Sequence, residues 1–298
     1  MKVGIIGCGN IADIYFSNSQ KYFNNFQIVA CADIKNEAAK NYAEKYGVEQ
    51  LSVDQILSNK EIELIINLTI PDVHFEVSKS ILEAGKHSYS EKPLSIKFEH
   101  GEELVTVGNS NGVPVGCAPD PFLGSGDRQG QEIEVEIPTT LVSQIEFQNG
   151  ALIDSFFSFD VWKHSKNHIE LYGDKGSINI PDPNMFGGDI LVCKSKNGPW
   201  ENIDTKNNNL GKINIKNKSE KANESAGIAN YRGIGVSETV DAIKNNRLNR
   251  CSGELSLHVL DILDSIIKSS KENTKIELRS SIKNLNYFSE DEISNLLK

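Results

Sequence analysis

The 298-residue chain has no apolar run approaching the length of a membrane span, so a bilayer-crossing helix is not expected. Its opening, MKVGIIGCGNIA, turns polar too soon for a secretory leader. The five cysteines, Cys8, Cys31, Cys117, Cys193 and Cys251, are odd in number, scattered and without a C-x-x-C pair. That argues against a disulfide framework; a reduced, cytoplasmic protein with small thiols in its core is expected. Positive charge is short: 31 Lys and Arg stand against 41 Asp and Glu, a net charge of -10. Nucleic acid and anionic membrane surfaces are therefore not expected partners. No internal repeat is present. A content of 38% hydrophobic and 24% charged residues suits a globular chain of one large or two ordinary domains.

The strongest local signal opens the chain. A short apolar run, Val3 to Ile6, ends in Gly7-Cys8-Gly9-Asn10-Ile11-Ala12. This reads as a strand, a glycine turn and the first turn of a helix, the G-x-G-x-x-G/A fingerprint of a dinucleotide (Rossmann) fold. Gly7 would permit the tight turn, Gly9 would leave room for a pyrophosphate, and Ala12 would let the helix pack near the strand. The free N–H groups at the helix start would face the phosphates.

Strand and helix signals then alternate. Gln27 to Ala32, Leu64 to Leu68, His87 to Ser90 and Val113 to Cys117 read as further strands. Ala38, Ala39, Tyr42, Ala43 and Tyr46 make a helical stripe closed by Gly47. Asp72 and Ser95 are read as helix caps. Buried strands separated by helices imply a doubly wound parallel sheet. Asp33, 21 residues after Ala12, ends the second strand, where a carboxylate accepts from both adenosine ribose hydroxyls and repels a 2′-phosphate. NAD rather than NADP is expected, although Lys35 is close enough to soften the preference. A turn or helix-start role for Asp33 stays open beside the ribose role. Two later loops, Leu68-Thr69-Ile70-Pro71-Asp72-Val73-His74 and Ser90-Glu91-Lys92-Pro93, fall on the same carboxyl edge. There the Lys92 amine could neutralise a developing alkoxide. Read alone, His74 is a surface histidine and Glu91-Lys92-Pro93 an ordinary loop.

Together these pieces resemble the glucose–fructose oxidoreductase/inositol dehydrogenase (Gfo/Idh/MocA) family. The matching stretches are GIIGCGNIAD at 4–13, Asp33, T-x-P-x-x-H at 69–74, AGKHSYSEKP at 84–93 and VPVGCAP at 113–119. The likeness resumes with IELYGDKGSINI at 169–180, PDPNMFGG at 181–188, YRGIGV at 231–236 and GELSLHVLDILDSI at 253–266. The resemblance implies an NAD(P)-binding Rossmann domain at 1–119. It implies a second α+β domain at 120–298 with a largely antiparallel open sheet through which copies associate. The implied activity is hydride transfer between nicotinamide and a sugar, inositol or related polyol. Lys92 is then the catalytic residue. Gly7, Gly9, Asn10, Ile11, Ala12, Asp33, Leu68, Thr69, Pro71, His74, Glu91 and Lys92 line the cofactor site.

One departure stands out. The family's acid/base motif, Asp-x-Gly-x-x-His on a helix after a long segment, is absent from this sequence. Instead Gly124 to Gly130 runs straight into Gln131 to Ile137. The shortened chain leaves three readings open: an oxidoreductase with a replacement base, a cofactor-binding pseudoenzyme, or a chain lacking a segment of the natural protein. Replacement candidates are Asp120, Asp127, Asp160, His164 and His168, with Asp120, Trp162 and His164 as substrate contacts. His164-x-x-x-His168 has metal-ligand spacing but no third ligand motif, so no metal is expected. Gly173-Asp174-Lys175-Gly176 reads as a hairpin turn. Phe156, Phe157 and Phe159 read as sheet packing or as a polyol site, and Asn202 to Ser225 as a long exposed loop. Val236, Val240 and Ile243, then Leu255, Val259, Ile262 and Ile266, form two helical stripes.

Overall fold

Val3, Ile5 and Ile6 give the opening run apolar side chains on both faces, and a strand so built must be covered twice. In the computed structural model it is the buried strand β1 (Lys2–Ile6). The structure describes residues 1–118, 138–182, 188–205, 208–210, 231–282 and 286–298. The first unit continues through α1 (Ala12–Tyr22), β2 (Gln27–Ala32), α2 (Asn36–Tyr46), β3 (Glu49–Gln50) and α3 (Val53–Ser58). It ends with β4 (Leu64–Asn67), α4 (His74–Glu83), β5 (His87–Ser90), α5 (Phe98–Ser110) and β6 (Gly116–Cys117). The six strands pair in parallel in the order β3-β2-β1-β4-β5-β6. The chain winds outward from β1 in one direction through β2, then returns to its other side at β4. Loops leaving β1 and β4 therefore diverge, and the crevice between them is where open α/β sheets bind ligands.

Val3, Ile5, Cys31, Leu64 and Ile66 pack one sheet face against Tyr15 and Phe16 of α1 and Ala39 of α2. Ile6, Ala30, Ala32 and Ile65 pack the other against Ile56 of α3 and Ile81 of α4. The expected caps differ from those found. Residues Pro71–Val73 form a 3-10 turn ahead of α4, which has no side-chain cap. The Ser95 hydroxyl donates to Lys97 O at 2.7 Å instead of capping α5. Helix α3, too short to show an apolar stripe, starts with a reciprocal capping box formed by Ser52 and Gln55.

The second half holds two antiparallel sheets. Strands β7 (Thr140–Glu146) and β8 (Leu152–Ser158) form a hairpin. Strands β9 (Ile169–Gly173), β10 (Gly176–Ile180), β11 (Ile190–Cys193) and β12 (Glu201–Ile203) line up in the order β12-β11-β10-β9. Gly173 pairs with Gly176 across Asp174 and Lys175, the expected two-residue hairpin turn. In the β7–β8 hairpin, Leu141 pairs with Phe157 and Val142 with Phe156, so successive pairs put apolar groups on opposite faces. Phe156 and Phe157 remain 53% and 61% exposed. Among the described residues, then, the phenylalanines are not the packed interior of a sheet. Asn202 lies in β12; residues 206–207 and 211–225 of the expected loop fall outside the described residues.

The last helices are α6 (Ile234–Lys244), α7 (Gly253–Glu272) and α8 (Glu290–Leu296). Sequence placed them in the second unit, yet Val236 and Val240 are fully buried in the same cluster as Val3 and Ile5. Burying two valines in this way contributes about 3–6 kcal/mol. Residues 251–253 also run antiparallel along the outer edge of β6: Cys117 N donates to Cys251 O, and Gly253 N to Val115 O. The expected break near 119/120 lies at the margin of residues 119–137, outside the described residues. The second predicted stripe holds in part, with Leu255, Ile262 and Ile266 half-buried. Val259 is 47% exposed, whereas Leu260 and Asp261 are buried and Leu257 packs beside Leu104 and Val115.

Candidate functional site

The glycine turn is shaped by a close backbone crossing. Gly7 has φ +104°, and a Cβ there would lie 2.5 Å from Leu68 C and 2.6 Å from Leu68 O. The chain leaving β1 can pass the chain leaving β4 only without a side chain. Leu68 itself is a core residue, 5% exposed, and reaches the crevice through its main chain. Gly9 is the opposite case: no atom lies within 4 Å of where its Cβ would be. That open space sits at the start of α1, with Asn10 exposed and Ile11 half-buried beside it. Ala12 N donates to Gly9 O at 3.0 Å, and the Tyr42 hydroxyl reaches the same carbonyl at 2.9 Å.

Asp33 locks onto this turn. Its Oδ2 accepts the Cys8 N–H at 2.7 Å, and its Oδ1 accepts the Lys35 N–H at 2.7 Å. The second bond is an Asx-type turn, while Lys35 occupies the N-cap position of α2. Each carboxylate oxygen keeps a further lone pair for another donor. Cys8 adds no charge: its hydrogen bond with the Cys31 thiol, together with burial, pushes its own thiol far above the ordinary range. Ile34 and Ile70, both strongly exposed, stand on the loops that follow β2 and β4.

The β4 loop is organised by Asn67, which is fully buried. Its Oδ1 accepts from Thr69 N and Thr69 Oγ1, and its Nδ2 donates to His74 O and Ser78 Oγ. Its carbonyl receives Glu91 N at 3.0 Å, tying the β4 and β5 loops together. In sequence Asn67 stands out only as a polar residue within the apolar run Leu64 to Leu68. His74 is not a surface residue. It is 1% exposed, with Nδ1 2.8 Å from Pro93 O and Nε2 2.9 Å from Thr69 O. The ring therefore clips the two cleft loops together, while Pro71 lies exposed on the rim.

Glu91 is 7% exposed, and the Tyr15 hydroxyl donates to its Oε1 at 2.7 Å. Lys92 follows, half-buried, its N–H 3.3 Å from Glu91 Oε2 and its peptide bond to Pro93 cis. Cys117 lies behind this step, its Sγ 3.8 Å from Glu91 O, with burial pushing its thiol up to about 12. Thus Gly7, Gly9, Asp33, Thr69, Glu91 and Lys92 meet at one sheet edge.

Of the substrate candidates, Trp162 and His164 lie within the described residues. Trp162 is fully exposed and His164 exposed, its ring 6.1 Å from that of His168. Asp160 Oδ2 accepts from the hydroxyls of Thr140 and Thr139, which hold its carboxyl below the usual range. Asp120 and Asp127 lie outside the described residues. Among the described residues, no group of three His, Cys, Asp or Glu side chains could hold a metal. No helix there is long and apolar enough to cross a membrane.

Residues 1–118 match the model of an oxidoreductase family with an NAD-binding Rossmann fold (GFO_IDH_MocA). Among curated relatives, scyllo-inositol 2-dehydrogenase (NADP(+)) of Bacillus subtilis is 29% identical over 114 residues, 38% of this chain and 31% of that protein. Inositol 2-dehydrogenase of Salmonella typhimurium is 24% identical over 115 residues, 38% of this chain and 34% of that protein. The matched stretch thus spans about a third of these relatives. The aldose-aldose oxidoreductase of Caulobacter crescentus, solved with glycerol, superposes with a TM-score of 0.71 at 15% identity, covering 93% of this chain and 99% of that one. The biliverdin reductase of Synechocystis gives 0.61 at 15% identity, over 90% and 98%. The structural likeness is one of fold. It extends past residue 118 to the antiparallel sheets and final helices.

Proposed function

From a first unit that is this oxidoreductase family's NAD-binding Rossmann fold, we infer that the chain is an NAD(P)-dependent oxidoreductase acting on a sugar, inositol or related polyol. The observation that carries the cofactor half is the coupling of the glycine turn to Asp33 through the Cys8 N–H, at 2.7 Å. The residues fit a dinucleotide. Open space over Gly9 accommodates a pyrophosphate against the start of α1, and the pinned Asp33 carboxylate presents acceptors to ribose hydroxyls. A carboxylate there favours NAD, since a 2′-phosphate would bring two negative groups together. The name of the Bacillus subtilis relative gives NADP(+), so a direct comparison of the two cofactors is needed.

When bound, the nicotinamide supplies the hydride acceptor or donor. Lys92 binds the reacting oxygen of the substrate, and its ammonium stabilises negative charge that develops there. Thr69, Pro71 and Glu91 wall the cofactor crevice, with Glu91 fixing the backbone of Lys92. The polyol class rests on the sequence motifs and on what the named relatives act on. Trp162 and His164, both exposed, and Asp120 remain the proposed substrate contacts. Association of copies through the C-terminal sheet is proposed on the exposed Phe156 and Phe157, and a cytoplasmic setting on the five free cysteines.

The reading is tested by fluorescence titration with NADH and NADPH, then by turnover of myo-inositol, scyllo-inositol and aldoses with NAD⁺ and NADP⁺. Cofactor binding with turnover of one of these supports it; no binding of either cofactor defeats it. A second reading, a cofactor-binding pseudoenzyme, is favoured by the absent Asp-x-Gly-x-x-His motif. Polyol oxidation needs a base to take the hydroxyl proton, a contribution of about 10²–10⁴-fold. NADH binding without turnover across the panel would select it.

A further inference from the structure

We propose that Tyr15 is a positioning residue for Lys92, acting through Glu91 from the far side of the crevice. The inference rests on the assignment of Lys92 to the reacting oxygen.

Tyr15 sits on the first turn of α1, three residues beyond Ala12 of the glycine fingerprint, and is 2% exposed. Its hydroxyl is 2.7 Å from Glu91 Oε1, across a sequence separation of 76 residues. A buried carboxylate must be met by donors, because leaving one unpaired in the interior costs more than it returns. Here two donors meet it on different oxygens: the Tyr15 O–H on Oε1 and the Lys92 main-chain N–H on Oε2. The Glu91 main chain is fixed as well, its N–H on Asn67 O at 3.0 Å. Glu91 is therefore a rigid bracket between α1 and the backbone from which the Lys92 side chain springs. Removing the Tyr15 hydroxyl frees one arm of the carboxylate to rotate, and the Lys92 N–H loses a fixed acceptor. A small displacement of a charge-stabilising amine is costly in rate, because orientation supplies much of the barrier reduction.

This geometry gives Tyr15 a second link between the two halves of the crevice. The helix whose start faces the pyrophosphate also carries the hydroxyl that sets the lysine. Tyr15 itself is too buried to touch substrate, so its effect must pass through Glu91.

The test compares Tyr15→Phe, Glu91→Gln and Glu91→Ala with the wild-type chain. The phenyl ring still fills the core, so Tyr15→Phe removes the hydrogen bond while keeping the packing. Positioning predicts that, with the best polyol of the panel, kcat falls about tenfold or more while KM and the NADH Kd stay within about threefold. Glu91→Gln, which keeps an acceptor for Tyr15, retains more kcat than Glu91→Ala. Combining Tyr15→Phe with Glu91→Ala adds little to the loss from Glu91→Ala alone, since both act on one unit. An unchanged kcat in folded Tyr15→Phe overturns the proposal, as does a loss confined to KM or to thermal stability. A wild-type chain that turns over no polyol defeats the proposed reaction instead. Positioning is then read from the labelling rate of Lys92 by pyridoxal phosphate and borohydride, located by peptide mapping. A change of about threefold or more at Lys92 in Tyr15→Phe, with the other lysines unaffected, supports positioning; equal rates overturn it.

Discussion

The Cys8 main-chain N–H lies 2.7 Å from Asp33 Oδ2, joining the glycine turn after β1 to the acid that ends β2. Substitutions at Asp33 therefore act on the turn as well as on any ribose it holds. Asp33→Ala should weaken NADH binding by about tenfold or more, the range for a lost hydrogen bond to a charged acceptor. NADPH binding should suffer less, so that the NADH/NADPH affinity ratio falls. Paired fluorescence titrations measure both. Equal affinities in the wild-type chain would remove the basis for preferring NAD.

The two glycines of the turn should fail in different ways. Gly7→Ala forces a Cβ to within 2.5 Å of Leu68 C at a φ of +104°. It should cost roughly 3 kcal/mol of stability or more, from backbone strain and overpacking together. Gly9→Ala meets no atom within 4 Å. It should stay within about 1 kcal/mol of wild type while raising the NADH Kd about tenfold or more. Denaturant melts and titrations separate the two. A Gly9→Ala chain that binds NADH normally would show that no phosphate approaches that residue.

His74 contacts Thr69 O and Pro93 O from inside the core. A neutral imidazole donates its one N–H to one of these carbonyls, so His74→Leu removes one hydrogen bond, at about 1–3 kcal/mol. Thermal or urea unfolding reads the loss, and the NADH Kd should rise with it because both loops border the crevice. Wild-type stability in His74→Leu would mean that other contacts hold the loops.

Gly235 tests how the final helices dock on the sheet. A Cβ there would lie 2.2 Å from Tyr89 Oη, and Tyr89 is itself buried. Gly235→Ala should destabilise by about 1–3 kcal/mol through overpacking. Part of that should return in a Tyr89→Phe background, where the hydroxyl is gone, giving a non-additive double-mutant cycle. Additive losses would place the disturbance elsewhere.

Much of the first unit was legible from local pattern. Strands Gln27–Ala32 and His87–Ser90 match the expected bounds, and the Gly47 and Gly173–Gly176 turns fall where small residues interrupt apolar periodicity. The glycine turn after β1 and the acid that follows β2 were legible too, because the close crossing at Gly7 admits no side chain. Helix faces were harder. The α7 stripe was legible in part, because its packed face also takes in the charged residue Asp261, buried against Arg279 and Ser280. Hydropathy scores such a residue as exposed, whereas ion pairing and hydrogen bonding allow its burial.

The sequence by itself determined that the chain begins with a strand, a glycine turn and a helix, and that Asp33 ends the next strand. Those features follow from residue size, φ freedom and short-range periodicity. Only the tertiary structure decided that Tyr15 meets Glu91, that His74 joins Thr69 to Pro93, and that Val236 and Val240 complete the core begun by Val3. Each of these joins different elements: Tyr15 and Glu91, 76 positions apart, come within hydrogen-bonding reach because β4 and β5 lie beside β1, and the valines of a late helix reach the cluster of the first strand. Local pattern records which side of an element is apolar; which partner covers it is settled when the sheet assembles.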